Sequence, residues 1–387
     1  MNIILFDTSS RSTLFPLTLT KAIADLRFGI LTVKERWQKL TGEEIFVLTE
    51  GYLQVLYPPI NTGDCIFIDA SVIPAKELVK QILKLNIDES IGNEAGLVAG
   101  RTSIKTVPVL SDIAAMFLSS IQVANVTRFL SPSDFFKLND EMIRFDFSIV
   151  TKSRISFDTN DTVHAKKTTQ IFVEEGATVD FSILNASTGP IYIGKNATIM
   201  EGCSIRGPFS LGEGATLKMG TKVYGASTLG PYCTGGGEIK NSVMMGFSNK
   251  GHDGYLGDSV IGEWCNMGAG TSNSNVKNTG GTVSLWNYKE QQYKAVGVKC
   301  GVIMGDYSRT AINTSINTGT VIGVCCNVFS VGLTPKFIPD FSWGFNAATY
   351  EFEKALKDIE NWKKRKNKSV TVPETQILKH IFDESKK

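Results

Sequence analysis

Three histidines occur in the 387 residues, His164, His252 and His380, and one of them stands in a segment whose composition suits chemistry. His252 lies in the glycine-rich run Asn249-Lys250-Gly251-His252-Asp253-Gly254-Tyr255. An imidazole can exchange a proton near neutral pH, so His252 is a candidate for proton-transfer chemistry, although a histidine in such a run is more often plain surface. The competing explanation is a surface side chain on a mobile loop. A zinc site built on three converging imidazoles is strongly disfavoured, because His164 and His380 lie far from this run in the sequence.

The element that must position His252 is written as a period of six. Ile193, Ile199, Ile205, Leu211, Leu217, Val223 and Leu229 follow one another without a miss. Glycine recurs at three times that interval, pairing Gly194 with Gly212 and Gly230, Gly202 with Gly220, and Gly207 with Gly225. Six residues make one side and three sides close one coil, which predicts a solenoid of triangular cross-section with aliphatics stacked inside and glycine at corners. A second run, Met304, Thr310, Ile316, Ile322 and Val328, repeats the rule with one polar interruption.

This solenoid is expected from about Ile171 to Val331, interrupted at Pro231–Tyr255 and again at Val276–Val298, the latter as a projecting loop. His252 falls in the first interruption, and insertions and edges are where solenoids carry function. The organisation reads as an α/β domain over 1–150, a junction over 151–170, coils over 171–345 and a helical tail over 346–387. In the first domain, strands are predicted at Asn2–Phe6, Ile45–Thr49, Cys65–Asp69 and Met142–Val150, and helices at Val33–Leu40, Lys76–Leu85 and Asp112–Ser119. Ala347–Lys366 reads as an amphipathic helix covering the last coil.

Bulk properties narrow the class. A composition 42% hydrophobic and 20% charged, with a net charge of +2, fits a globular protein and gives no reason to expect a nucleic-acid partner. Seven cysteines without CxxC spacing argue for reduced thiols rather than a disulfide framework. Neither a signal peptide nor a membrane-spanning stretch is evident, so a cytoplasmic location without a membrane partner is expected.

The stretch SNKGHDGYLGDSVIGEWCNMGAGTSNSN resembles the acetyltransferase half of GlmU-like bifunctional enzymes of UDP-N-acetylglucosamine synthesis, over nearly thirty residues. The resemblance implies a left-handed parallel β-helix of hexapeptide repeats, a homotrimer, and transfer of acetyl from acetyl-CoA to the amine of a sugar phosphate. It makes His252 the base and puts Tyr255, Asn266 and Asn275 on the sugar. Lys240, and less directly Lys218, would meet the phosphate, Lys218 standing where the family has arginine. Asp306 and Val324 fall at positions associated with coenzyme A. Val276 replaces a tyrosine on the donor side, and Gly230–Lys240 is longer than the family pattern. A surface lysine competes as the explanation of Lys240, and a left-handed corner residue as that of the asparagines.

The first domain resembles an abbreviated sugar nucleotidyltransferase of the kind found in a Bacteroidota GlmU-like group, through FPLTLTKAIADLRFGILTVKERW at Phe15–Trp37. Arg11 and Lys21 would contact a nucleotide such as UTP. Asp69 would hold Mg2+, with a turn-capping aspartate as the competing explanation. The loop glycines that let backbone approach phosphates are missing. Three functional readings therefore stand: acetyl transfer, added or separate uridylyl transfer, and a sugar-nucleotide binder without catalysis.

Overall fold

A computed structural model describes residues 1–117, 120–329, 331–345 and 348–386. The chain forms two compact units: Met1–Leu14, Thr20–Leu26 and Leu31–Ser131 make the first, and Phe15–Leu19, Arg27–Ile30 and Pro132–Lys387 the second.

The first unit is an α/β layer structure on a six-stranded sheet. Its strands are β1 (Asn2–Phe6), β2 (Ile45–Leu48), β3 (Gly63–Asp69), β4 (Ser90–Asn93), β5 (Gly96–Ile104) and β6 (Ile121–Gln122), in the order β2-β1-β3-β5-β4-β6. β1 runs parallel to β2 and β3, and β5 is antiparallel to β3 and β4. Ile4, Phe6, Phe46 and Phe67 pack with Ile113 and Phe117 in one core cluster. The helix Val33–Thr41 starts on a capping box from Thr32 and Glu35 and ends at Gly42 in the left-handed conformation. Only short 3-10 turns, Leu110–Asp112 and Ala114–Met116, form where a helix is expected over Asp112–Ser119. Leu118 and Ser119 lie outside the described residues.

The second unit is a parallel β-solenoid with three faces. Its first face stacks His164–Lys166, Ile183–Asn185, Ser204–Arg206, Lys222–Tyr224, Glu238–Lys240 and Tyr255–Gly257. The second and third faces are sheets of nine and ten strands. All seven residues of the Ile193–Leu229 run are buried inside the coils. Thr310, the polar interruption of the second run, shares a hydrogen bond with Thr271 at 2.9 Å and accepts one from Gly268 N. Gly202 and Gly220 take φ values of 75° and 69° at one corner.

Three expectations need correction. Met142–Val150 belongs to the helix Asp134–Val150, not to a strand. Its buried stripe, Phe135, Phe136, Asn139, Met142, Ile143, Asp146 and Val150, has helical spacing, but two of those positions are polar and hide the period. Their polarity is used: Asn139 Oδ1 accepts from Gly29 N at 2.6 Å, its Nδ2 donates to Ala226 O, and Asp146 accepts from Ile30 N. Second, Pro231–Tyr255 does not break the coils. The register steps from Thr216 to Thr234, then from Thr234 to Asn249, so the coil shortens while the stacking continues. Third, Val276–Val298 is an insertion that contains an antiparallel hairpin, Val283–Asn287 with Gln292–Gly297, and it folds back onto the coils. Trp286 stacks on Phe337 at 4.9 Å, and Val283 and Leu285 are buried.

Tyr232, Phe247, Trp264, Tyr307 and Phe341 repeat at the corner between the second and third faces, each with positive φ. Non-glycine residues pay for that conformation, and stacking offsets the cost along Tyr232, Phe247 and Trp264, the last two with rings 4.4 Å apart. The C-terminal helices Phe352–Lys364 and Val372–Glu384 lie along this column rather than only over the last coil. Lys363 sits over Trp264, Tyr307 donates to Glu374, and Phe341 packs on Phe382. Ala347, where the expected helix begins, is outside the described residues, and Ala348–Thr349 is a strand antiparallel to Ser342–Trp343.

Candidate functional site

Two corners of the solenoid frame the end of its first face. His252 occupies the bend between Asn249–Lys250 on the third face and Tyr255–Gly257 on the first. Its side chain is exposed, and Gly254, two residues on, has φ of 122°, which only glycine tolerates. Above the strand Tyr255–Gly257 the backbone ladder of the first face stops. Ser272 Oγ and Asn273 Oδ1 accept from Tyr255 N and Gly257 N in its place, at 3.0 and 2.9 Å.

At the far end of that strand a polar network is assembled. The Tyr255 phenol folds over Gly257, where a Cβ would meet its hydroxyl and push the ring aside. Asn275 Nδ2 donates to the Tyr255 hydroxyl at 3.1 Å and also to Asp258, while Asn241 Nδ2 donates to Asp258 Oδ1 at 2.7 Å. Asn241 and Asp258 both sit at a left-handed corner, φ 45° and 46°. Lys240 pairs in register with Gly257 and lies 5.7 Å from the Tyr224 ring centroid. Burial, then the charges of Asp258 and of the neighbouring Tyr224 and Glu238, push the Tyr255 phenol above its usual range. The hydrogen bond to Glu238, with burial behind it, pushes Tyr224 up to about 12. Both phenols therefore stay protonated donors at neutral pH.

The structure brings His252, Tyr255, Asn275 and Lys240 to one end of the first face. Lys218 is exposed at the same corner as His252: its N–H donates to Gly235 O, and Gly236 abuts Gly251, so Lys218 lies two coils below, roughly 10 Å away. Asn266 is not in this group. It stands on the third face, between Asn249 and Arg309. Asp306 and Val324 serve the coils themselves. Asp306 Oδ1 accepts from Glu263 N, and Val324 gives its N–H to Asp340 at 2.7 Å and its carbonyl to Phe341 N.

In the first unit, the expected nucleotide residues are buried at the C-terminal ends of β1, β2 and β3, the edge where parallel α/β sheets bind ligands. Arg11 pairs with Asp7 at 3.5 Å and donates to the Tyr52 hydroxyl. Asp7 also accepts from Thr49 Oγ1 at 2.6 Å and from Ile23 N, and burial pushes its carboxyl up to about 6. Lys21 is buried, and its charge acts on Asp25, whose carboxylate accepts from Tyr57. Asp69 is buried too, with Ser71 on one oxygen and Arg128 Nε on the other at 2.9 Å.

Residues 3–155 match the sugar nucleotidyl transferase family. The bifunctional protein GlmU of Methanococcus aeolicus is 42% identical over 86 residues, 22% of this chain and 20% of that protein. GlmU of Methanocaldococcus jannaschii is 38% identical over 89 residues, 23% of this chain and 21% of its own. Over these segments the chain is similar to sugar nucleotidyl transferases and to bifunctional GlmU proteins. The match thus spans about a fifth of the length of each of these curated relatives. A solved Arabidopsis UDP-N-acetylglucosamine acyltransferase aligns at 10% identity and a TM-score of 0.21, covering 48% of this chain and 72% of that one.

A magnesium ion does not fit at Asp69, because Arg128 already neutralises the carboxylate. Among the described residues no group of three or more His, Cys, Asp or Glu side chains could hold a metal. Nor is any described helix long and apolar enough to cross a membrane, and all seven cysteines are buried and unbridged. Sequence reasoning missed Asp258, Asn241, Tyr224 and Glu238. Asp258 was in view inside the YLGD string, yet its partners come from coils before and after it, and only the register joins them.

Proposed function

We propose that the solenoid transfers an acetyl group from acetyl-CoA to the amine of an amino-sugar 1-phosphate, glucosamine 1-phosphate being the acceptor to test first. The observation that carries this reading is the placement of an exposed imidazole and a Tyr255–Asn275–Asp258 network at the two ends of one short strand, with Lys240 alongside. In this mechanism His252 takes a proton from the sugar amine as nitrogen attacks the thioester carbonyl. The tetrahedral intermediate collapses with loss of coenzyme A thiolate, which leaves as the thiol once protonated. Tyr255 and Asn275 orient the sugar by hydrogen bonds, and Lys240 balances the phosphate charge. Lys218 extends the cationic edge below. Asn266 acts from the third face or across a neighbouring copy in a homotrimer, an assembly that light scattering tests. Asp306 and Val324 support the donor end by holding the corners that shape it. Release of thiol from acetyl-CoA in the presence of glucosamine 1-phosphate tests the reaction, and equal rates for wild type and His252→Ala would refute it.

The family match over residues 3–155 favours a second activity in the first unit, uridylyl transfer from UTP to the sugar phosphate, with Arg11 and Lys21 on the nucleotide. It predicts pyrophosphate release from UTP that Arg11→Ala abolishes.

A further inference from the structure

Lys250 occupies a position that the coils otherwise fill with aliphatic side chains. Along the third face the inward residues are Val179, Ile199 and Leu217, followed by Gly235 and then Lys250, which pairs in register with Gly235. Val179, Ile199 and Leu217 belong to the solenoid core, and Lys250 is itself only 2% exposed. Burying an ammonium ion costs several kcal/mol unless its donors are satisfied. Here Nζ donates to two backbone carbonyls, Gly236 O at 3.2 Å and His252 O at 2.7 Å. Burial pushes the ammonium down to about 8, while Asp253 acts in the opposite sense.

Those two carbonyls belong to successive coils at the same corner. One is the carbonyl of His252 itself. Gly251 precedes the histidine and Gly254 follows two residues on, with Gly236 and Gly237 beneath them, and beyond the histidine the backbone is held by Gly270 N on Asp253 O and by Glu238 N on Gly254 O. Rotation of the peptide at residue 252 would still swing the imidazole, and the glycine just before it restricts that rotation least. A cation pinning the His252 carbonyl to the coil below removes that freedom.

We propose that Lys250 is a positioning residue for His252, clamping the corner peptide so that the imidazole keeps one orientation at the bend. This rests on the reading of His252 as the general base. The clamp also accounts for a lysine where a methionine of similar length would pack without a desolvation cost.

The test uses the full chain carrying Lys250→Met, which keeps the length and removes the donors, and Lys250→Gln, which keeps a shorter donor. Hydrogen–deuterium exchange of a peptide covering residues 251–254 is expected to quicken by about 10-fold in Lys250→Met, with peptides from coils 198–229 unchanged. Thiol release from acetyl-CoA is expected to lose about 10- to 100-fold in kcat with KM within about 2-fold, and Lys250→Gln to fall between. The melting temperature of Lys250→Met is expected to hold or rise, which a purely structural lysine would not allow. Unchanged exchange in both variants, or unchanged kcat in both while wild type is active, overturns the proposal. If wild type releases no thiol with any amino-sugar phosphate, the acetyl-transfer reading fails, and the exchange measurement alone decides the clamp. Should Lys250→Met not fold, exchange and kcat of Lys250→Gln carry the same decision.

Discussion

The charged side chains at the two candidate sites, one in each unit, are treated in opposite ways. In the first, Arg11, Asp7, Asp69 and Arg128 are buried and paired with one another. In the solenoid, His252 is exposed and Lys240 half-exposed, while the polar groups beside them are fixed by Asn241, Asn275 and Asp258. A charge already neutralised must be released before it meets a ligand, whereas an accessible imidazole beside a hydrogen-bonded network has no such ion-pair partner to give up among the described residues. The difference teaches that accessible polar groups gather at the solenoid corner, although the family match covers residues 3–155.

The sharpest break of this comparison would be His252→Ala. Removing this imidazole should lower the rate of thiol release by about 100- to 10,000-fold with the melting temperature unchanged, since the residue is exposed. On the other side, Arg128→Ala should leave a buried carboxylate unpaired and cost about 3–5 kcal/mol, read by urea denaturation, with Arg128→Ala/Asp69→Asn recovering part of the loss. An Arg128→Ala chain as stable as wild type would mean that the first unit is not locked by its ion pairs.

Smaller effects refine the contrast. Lys240→Ala should raise KM for the sugar phosphate by about 10-fold and leave kcat within a few-fold, as expected of a group that meets the phosphate in both ground and transition states. In the first unit, burial holds the Asp7 carboxyl at about 6, above its ordinary 3.8. The fold thus favours the protonated form, so stability is greatest below the ordinary value and declines as pH rises through about 6. Lowering the pH from 7 to 5 should add about 1 kcal/mol to the unfolding free energy through this group, and Asp7→Asn should flatten that dependence.

The solenoid was legible because its rule is local: every sixth residue faces inward, and the uninterrupted Ile193–Leu229 run is buried throughout. The helix Asp134–Val150 was not, since Asn139 and Asp146 replace apolar residues in its buried stripe to satisfy Gly29, Ala226 and Ile30. Pro231–Tyr255 looked like a break for a related reason. A coil can shed residues at its corners without losing its pairing, and counting by sixes cannot see that.

The sequence by itself determined the coil architecture, the glycine corners and the segment around His252, because each depends on residues within one or two turns of one another. The tertiary structure decided which side chains meet. Asn275 reaches Tyr255 and Asp258, Asn266 is carried to another face, and Lys250 enters the core to hold the carbonyl of His252. Those outcomes depend on the number of residues spent at each corner, which sets the register between coils, and register appears only once the coils are stacked.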